Sequence, residues 1–385
     1  MDHPIARRIA AAAALACAAC GSAPPGAVTK CATTAVVPAT PKTDILFVVD
    51  DSGSMAAEQA LLGTAFKAFI DTLAALPVKD AFQIGVTTTS VDEPFDNGTL
   101  QTTYAPGRPY PAGALVGPAG KKILAADDPS LVADFQANVN VGTGGAGKEQ
   151  GLRAALLAVT DRINDGQNAG FLRPGAKLAV VIVSDEDDCS DPATPPAIVY
   201  PQSGADRCHS PAEQALLPSV QTYVNALRQA LAGEQRDLTV AVIAGVDPTT
   251  KQPVAQLACN ANGYGAFRYT AFAQGVKDAG GHALVDDVCQ ADFTATLDAL
   301  AGLIATQTVP LSEAPADWRL LAVSVARAAG STAACKVGLE GDASAASADA
   351  VYAPPQAGRP ASLTFQRGCQ LAQGDDVHVQ VLCAG

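Results

Sequence analysis

Two unbroken apolar runs, Ile45-Leu-Phe-Val-Val49 and Leu178-Ala-Val-Val-Ile-Val183, constrain this fold more than any other feature. Both are too short for a buried helix, and neither alternates with polar residues. Such runs suit strands buried on both faces, which occur in parallel sheets covered by helices on each side. Helical spacing follows the first run: Leu62, Phe66, Phe69, Ile70 and Leu73 share one helical face. Phe82 to Thr87 reads as the next strand, and Glu149 to Ile163 as a helix with Leu152, Leu156 and Val159 on one side. Ser210-Pro211-Ala212-Glu213 is a capping box with Pro at the first helical position, predicting a helix that Gly233 closes. Leu238 to Ile243 and His282 to Val285 read as strands, Phe267 to Ala279 and Ala291 to Thr306 as helices. The alternation predicts an α/β fold over residues 42–308, a doubly wound parallel sheet with helices on both faces. Residues 90–130 are rich in Pro and Gly and predict a long excursion with one hairpin.

After Pro310 the period changes to two. Leu321, Val323 and Val325 alternate with other residues, as do Leu363 and Phe365, then Val377, Val379 and Val381. This predicts a small antiparallel β domain over 311–385, closed by Cys335, Cys369 and Cys383, with Trp318 at the junction of the two domains. A length of 385 residues accommodates both domains.

The first twenty residues read as an export signal. Arg7 and Arg8 precede an Ala- and Leu-rich stretch, Ile9 to Ala19, that is too short to span a bilayer. Its end, Ala18-Ala19-Cys20, resembles a bacterial lipoprotein lipobox, although Cys17 stands where that family usually has Leu. Cysteine counting favours Cys20 as the lipidated residue over Cys17. Cleavage there leaves eight further cysteines, an even set that suits disulfides in an oxidising compartment. An ordinary cleaved signal without lipid is the alternative. Residues 21–41 are rich in Pro, Ala and Thr and read as a tether, with Cys31 pinning it to the folded part.

The turn after the first strand, Asp50-Asp51-Ser52-Gly53-Ser54, gathers two hydroxyls and a carboxylate at the carboxyl end of a buried strand. These are hard oxygen donors of low total charge, as an incomplete Mg²⁺ cage requires. Asp185 ends the other buried run and reaches the same edge of the sheet. Thr143, in the loop Gly142-Thr143-Gly144-Gly145, supplies a further hydroxyl.

Asp50-x-Ser52-x-Ser54 after a buried strand, a later Thr143 and Asp185 after a Val-rich strand together resemble the metal-ion-dependent adhesion site of von Willebrand factor type A domains. The resemblance covers roughly residues 42 to 308. It implies a divalent cation at the top of the sheet, Mg²⁺ first and Mn²⁺ or Ca²⁺ as alternatives. Ser52 and Ser54 would bind it directly, and Asp50, Thr143 and Asp185 directly or through water. The vacant position would take a carboxylate from a protein partner. The Thr143 loop is longer and more Gly-rich than the family's, and Asp185 opens an unusual acidic run. Asp187, Asp188 and Asp191 in that run are either a solvated loop pinned by a Cys189–Cys208 disulfide or a second cation site. Proximity also pairs Cys259 with Cys289. The whole plan resembles exported von Willebrand type A lipoproteins of Gram-negative bacteria, which implies outer-membrane anchorage.

Other chemistries find less support. The net charge is -13 and no Lys/Arg cluster stands out, so no nucleic-acid partner is expected. Gly142-x-x-x-x-Gly147-Lys148 spells most of a P-loop, but Glu149 occupies the place of the Mg²⁺-binding hydroxyl, so no nucleotide is expected. His209, His282 and His378 fall in separate segments, without a zinc spacing or a base for a serine nucleophile. The expectation is a non-enzymatic adhesion or protein-binding module. The alternatives are an assembly subunit docking through the same cation and a metal-dependent enzyme.

Overall fold

The computed structural model describes residues 29–38 and 42–383, apart from stretches at 76–81, 92, 95–99, 102–111, 118–120, 195, 199–207, 209–210, 232–236, 261–262, 312–313, 357–360 and 372–373. The signal segment, Cys20, Ser210 and Gly233 lie outside the described residues. In chain order the elements are β1 (Thr29–Pro38), β2 (Thr43–Val49), α1 (Ala56–Ala75), β3 (Phe82–Thr88), β4 (Glu93–Pro94), β5 (Leu100–Gln101), β6 (Ile123–Ala125), α2 (Leu131–Val139), α3 (Gly151–Val159), α4 (Asp161–Asn164) and β7 (Lys177–Val183). They continue with α5 (Pro211–Gln214), α6 (Val220–Leu231), β8 (Leu238–Ala244), α7 (Phe267–Asp278), β9 (His282–Asp287), α8 (Thr294–Ala305) and β10 (Gln307–Pro310). The last elements are β11 (Leu321–Ala326), β12 (Thr332–Cys335), β13 (Val337–Leu339), β14 (Ala350–Ala353), β15 (Ser362–Phe365) and β16 (Asp376–Cys383).

The central sheet has six strands in the order β6-β3-β2-β7-β8-β9. All neighbours are parallel except β6, which runs antiparallel beside β3. Numbered within the sheet this is 3-2-1-4-5-6, so the order reverses between β2 and β7. Successive residues of β2 face opposite sides, which is why its apolar run is continuous. Ile45, Phe47 and Val49 pack with residues of α1, α2 and α8, while Leu46 and Val48 pack with residues of α3, α6 and α7. On the first side Phe66 stacks on Phe135 at 3.4 Å between centroids, and Phe47 meets Phe135 edge-on at 4.9 Å.

One element inside the expected 90–130 excursion, β6, and one just after it, α2, were not predicted. β6 adds an edge to the sheet, and α2 buries Leu131, Phe135 and Val139, spaced i, i+4, i+8. The helix expected from Ser210 to Gly233 is two helices, α5 and α6. Pro218 falls between them, where it lacks an amide for the helical ladder and disfavours helical backbone at the residue before it.

The β part departs further. It is two four-stranded sheets, β1-β16-β11-β12 and β10-β15-β14-β13. Their pairings are antiparallel, as expected, except that β13 pairs with β14 in parallel. β1, from the segment read as a tether, pairs with the last strand β16 from Thr29↔Cys383 to Pro38↔Asp376. The chain therefore enters this unit, leaves it at Pro38 to build the six-stranded sheet, and returns at β10. Trp318 packs against the core of the β unit, with Arg319 stacked over its ring at 4.9 Å. Cys189–Cys208, Cys259–Cys289 and Cys335–Cys369 are disulfides. Three such bonds fit a chain exported to an oxidising compartment. No helix among the described residues is long and apolar enough to cross a membrane.

Phe47→Ala empties the centre of the aromatic cluster, and we expect it to lower unfolding free energy by about 3–5 kcal/mol in a chemical denaturation series.

Candidate metal centre

The switch point of a doubly wound sheet opens a crevice at the carboxyl ends of the strands where the order reverses. Here those strands are β2 and β7, with Val49 opposite Val183. The residues that follow them are Asp50 and Ser184-Asp185. The main chain crosses at this point: the Asp50 amide donates to the Val183 carbonyl at 3.0 Å.

The turn after β2 is built by its own side chain. Asp50 Oδ1 accepts the Ser52 amide at 2.8 Å, and Asp50 Oδ2 accepts the Ser184 hydroxyl. Ser52 Oγ lies 3.3 Å from Ser54 Oγ, and Ser54 Oγ donates to Asp185 Oδ1 at 3.1 Å. Asp50, Ser52, Ser54 and Asp185 thus form one connected set of oxygens. Asp50, Ser52 and Asp185 are buried, while Gly53 and Ser54 are exposed and open the set to solvent on one side. A Cβ at Gly53 would meet nothing within 4 Å.

The loop that carries Thr143 is brought against this turn. The Gln59 side chain donates to the Asp50 carbonyl and to the Gly142 carbonyl, both at 2.9 Å, so α1 ties the Thr143 loop to the turn. The Gly145 amide donates to the Asp51 carbonyl at 2.7 Å. Thr143 stands exposed between these two anchors.

Several residues of the site were not singled out by the sequence. Asp51 points under the Thr143 loop, where its Oδ1 accepts the Ser90 hydroxyl at 2.7 Å, and Ser90 Oγ in turn accepts the Ala146 amide at 2.7 Å. A Cβ on Gly145 would sit 2.2 Å from Asp51 Cγ, so only glycine fits there. The run of glycines around Thr143 was the signal for this close approach. Asp185 is held from the other side: Asn260 Nδ2 donates to its Oδ2 at 2.5 Å, and the Tyr264 amide donates to its carbonyl at 3.0 Å. The Cys259–Cys289 disulfide anchors the loop that carries Asn260.

Charge is concentrated here. Burial pushes the Asp50 carboxyl up to about 7, and the neighbouring Asp185 charge adds to it, against the Ser184 and Ser52 hydrogen bonds. Burial also raises Asp51 to about 6. Behind them Glu149 is fully buried and raised well above the carboxylate range, first by burial and then by the Glu186 and Asp50 charges. One of its oxygens has no hydrogen-bond partner. The donor set fits a hard divalent cation: two carboxylates and two hydroxyls converge, and their mutual repulsion is what a cation would relieve.

The acidic run beyond Asp185 does different work. Asp187 accepts the Arg268 amide at 2.9 Å, at the N-terminus of α7, and the Gln214 side chain at 3.1 Å. Asp188 accepts the Leu152 amide at 3.1 Å, at the N-terminus of α3, and pairs with Arg268 Nε at 3.0 Å. Asp191 forms a buried ion pair with Lys148 at 3.1 Å and accepts the Ile198 amide at 3.0 Å. Against burial, that amide and the Lys148 ammonium hold Asp191 below its usual range. These carboxylates are buried, cap two helices and neutralise two cations: the run is a structural clamp, where the expectation was a solvated loop or, as the alternative, a second cation site at Asp187, Asp188 and Asp191. The same contact commits Lys148, the lysine of the P-loop-like string, to the interior. Among the described residues no group of three or more His, Cys, Asp or Glu side chains is arranged to hold a metal ion. The turn site is outside that class, since half of its donors are hydroxyls.

No protein-family model and no curated protein sequence matches the chain. Solved structures do. The pilus adhesin SpaC from Lactobacillus rhamnosus GG matches 89% of this chain at 12% identity and a TM-score of 0.36, and the chain spans 39% of SpaC. The human COPII-coat protein Sec24c matches 89% at 9% identity with a TM-score of 0.37, again over 39% of that protein. Manganese-loaded Plasmodium vivax TRAP protein matches 72% of this chain and 78% of its own at 14% identity, with a TM-score of 0.32. Likenesses this distant carry no argument about function, which rests on the geometry above.

Two outcomes follow. Gly145→Ala forces Asp51 aside and is expected to cost about 1–3 kcal/mol of stability by thermal or chemical unfolding. Asp50, raised in the folded state, binds a proton between its ordinary 3.8 and about 7 that the unfolded chain has lost, so stability without divalent cation falls as pH rises through that window. Asp50→Asn is expected to reduce that slope, leaving the part from buried Asp51, Asp187 and Glu149, and to exceed the parent at pH 8 in chelator by on the order of 2–4 kcal/mol.

Proposed function

We propose that this chain is an exported binding module that engages a protein partner through a divalent cation, Mg²⁺ or in its place Mn²⁺ or Ca²⁺. The observation that carries the reading is the Ser54–Asp185 contact, which joins the turn after β2 to the residue after β7 at the switch point. Asp50, Ser52, Ser54 and Asp185 would hold the cation, with the Thr143 hydroxyl at the rim. When bound, the cation supplies a Lewis-acidic face to a carboxylate of the partner.

This chain's own residues do the positioning. Ser184 and the Ser52 amide hold Asp50 in place, and Asn260 holds Asp185, so neither carboxylate needs to reorganise. Exposed Ser54 and the open space over Gly53 leave one approach for a partner side chain. Among the described residues neither hydroxyl is hydrogen-bonded to a histidine or a lysine: Ser54 donates to Asp185 and Ser52 lies against Ser54. That supports binding over nucleophilic catalysis. Membrane attachment through a lipid on Cys20 completes the proposal, with β1 following the anchor after a short spacer.

Calorimetric titration of Mg²⁺ and Mn²⁺ into the protein lacking its signal segment, beside Asp50→Ala, tests it. We expect saturable one-site binding in the parent and none in the variant, with both folded by circular dichroism. Equal binding in the two proteins would overturn the assignment.

A further inference from the structure

Two strands beyond β7, the sheet ends on an edge. Among the described residues β9 is the terminal strand and pairs on one side only, with β8. The Val288 amide donates to the Ala244 carbonyl, so the alternation along the strand turns the main-chain groups of Ala283 and Val285 away from β8. Beside them lies a groove of ≈ 880 Å³ between β9, the outer face of α7 and the turn Thr250–Pro253. Phe267 on its rim is 48% exposed, one of two large apolar side chains so exposed among the described residues.

The charge of the groove differs from that of the chain. The chain carries -13 overall, yet Lys251 and Lys277 line the groove and no carboxylate does. Lys251 is set in place by its backbone. It has a φ of 57°, one of two non-glycine residues with positive φ among those described, and its amide donates to the Asp247 carbonyl at 2.9 Å. The Asp247 carboxylate accepts the Thr249 and Thr250 amides and so fixes the turn. Lys251 also reaches Asp286 at 2.6 Å, which leaves Lys277 as the free charge of the lining.

We propose that the β9 edge and the α7 face form a docking groove for an extended acidic peptide of a partner protein, added to the sheet as a seventh strand. Main-chain groups of Ala283 and Val285 would supply the ladder. Phe267 would cover an apolar side chain on the groove side, and Lys277 would meet an acidic one. The site is independent of the cation reading, since none of its residues belongs to the turn at Asp50.

The test uses fluorescence anisotropy with labelled eight-residue peptides of alternating valine and glutamate. A valine–lysine peptide and a valine–glutamate peptide N-methylated at alternate amides serve as comparisons. Ala271→Trp, at an exposed groove position of α7, fills the groove without touching the core, and Lys277→Glu inverts its charge. We expect saturable binding of the acidic peptide, about tenfold weaker when N-methylated because ladder bonds are lost. Lys277→Glu should weaken it about fivefold and Ala271→Trp should abolish it, with circular dichroism unchanged. No binding would overturn the proposal and make the two lysines guards against edge pairing. Binding indifferent to peptide charge, to N-methylation or to Ala271→Trp would overturn it equally.

Discussion

Two carboxylates that repel each other at the ends of neighbouring strands organise the upper edge of this protein. Asp50 and Asp185 are placed by the parallel pairing of β2 with β7, and the pairing cannot separate them without breaking the core. Burial then denies both the water that would screen them, which is why Asp50 holds its proton to about 7. The surroundings are arranged to bear the conflict: hydroxyls and amides from Ser52, Ser54, Ser184 and Asn260 donate to these oxygens. No lysine or arginine is among these donors. A positive charge from outside the chain is the simplest complement to that arrangement.

The clamp beneath the site shows the opposite solution. Asp187, Asp188 and Asp191 are also buried, but each meets an amide at a helix start or loop, and two of them meet a cationic side chain. Within seven residues the chain therefore carries carboxylates of two kinds, which the letters alone do not distinguish. The difference lies in partners far away in sequence, above all Arg268 on α7 and Lys148 before α3. A string read as a P-loop remnant proves to end in the buried partner of Asp191.

What was legible in the sequence follows this division. Continuous apolar runs revealed β2 and β7, and helical spacing revealed α1, so the α/β architecture and the position of the Asp50 turn were readable. Period two in Leu321, Val323 and Val325 revealed β11, whose residues alternate between buried and half-buried. Pairing between distant segments was not readable. β1 looked like a tether because the stretch around it is rich in Pro, Ala and Thr and shows no periodicity, and its place beside β16 is set by the returning chain. α2, which begins just beyond the 90–130 stretch, was not read although Leu131, Phe135 and Val139 are helically spaced. Ser90, Gln59 and Asn260 became visible only once the loops closed over Asp51, Asp50 and Asp185.

The insertion of the six-stranded unit between β1 and β10 gives the molecule two covalent links between its parts, at residues 39–42 and at Thr306. The Asp50 turn lies at the carboxyl ends of the strands, while both links meet the sheet at its opposite end, next to Thr43 of β2 and after α8. A partner docked at the Asp50 turn would thus sit at the far end of the unit from its attachment. The most direct measurement of the central claim is the anomalous difference map of a crystal grown with Mn²⁺. The account predicts one peak bonded to the Ser52 and Ser54 hydroxyls beside Asp185. A map with no peak there, or with its peak at Asp187, Asp188 and Asp191, would contradict it.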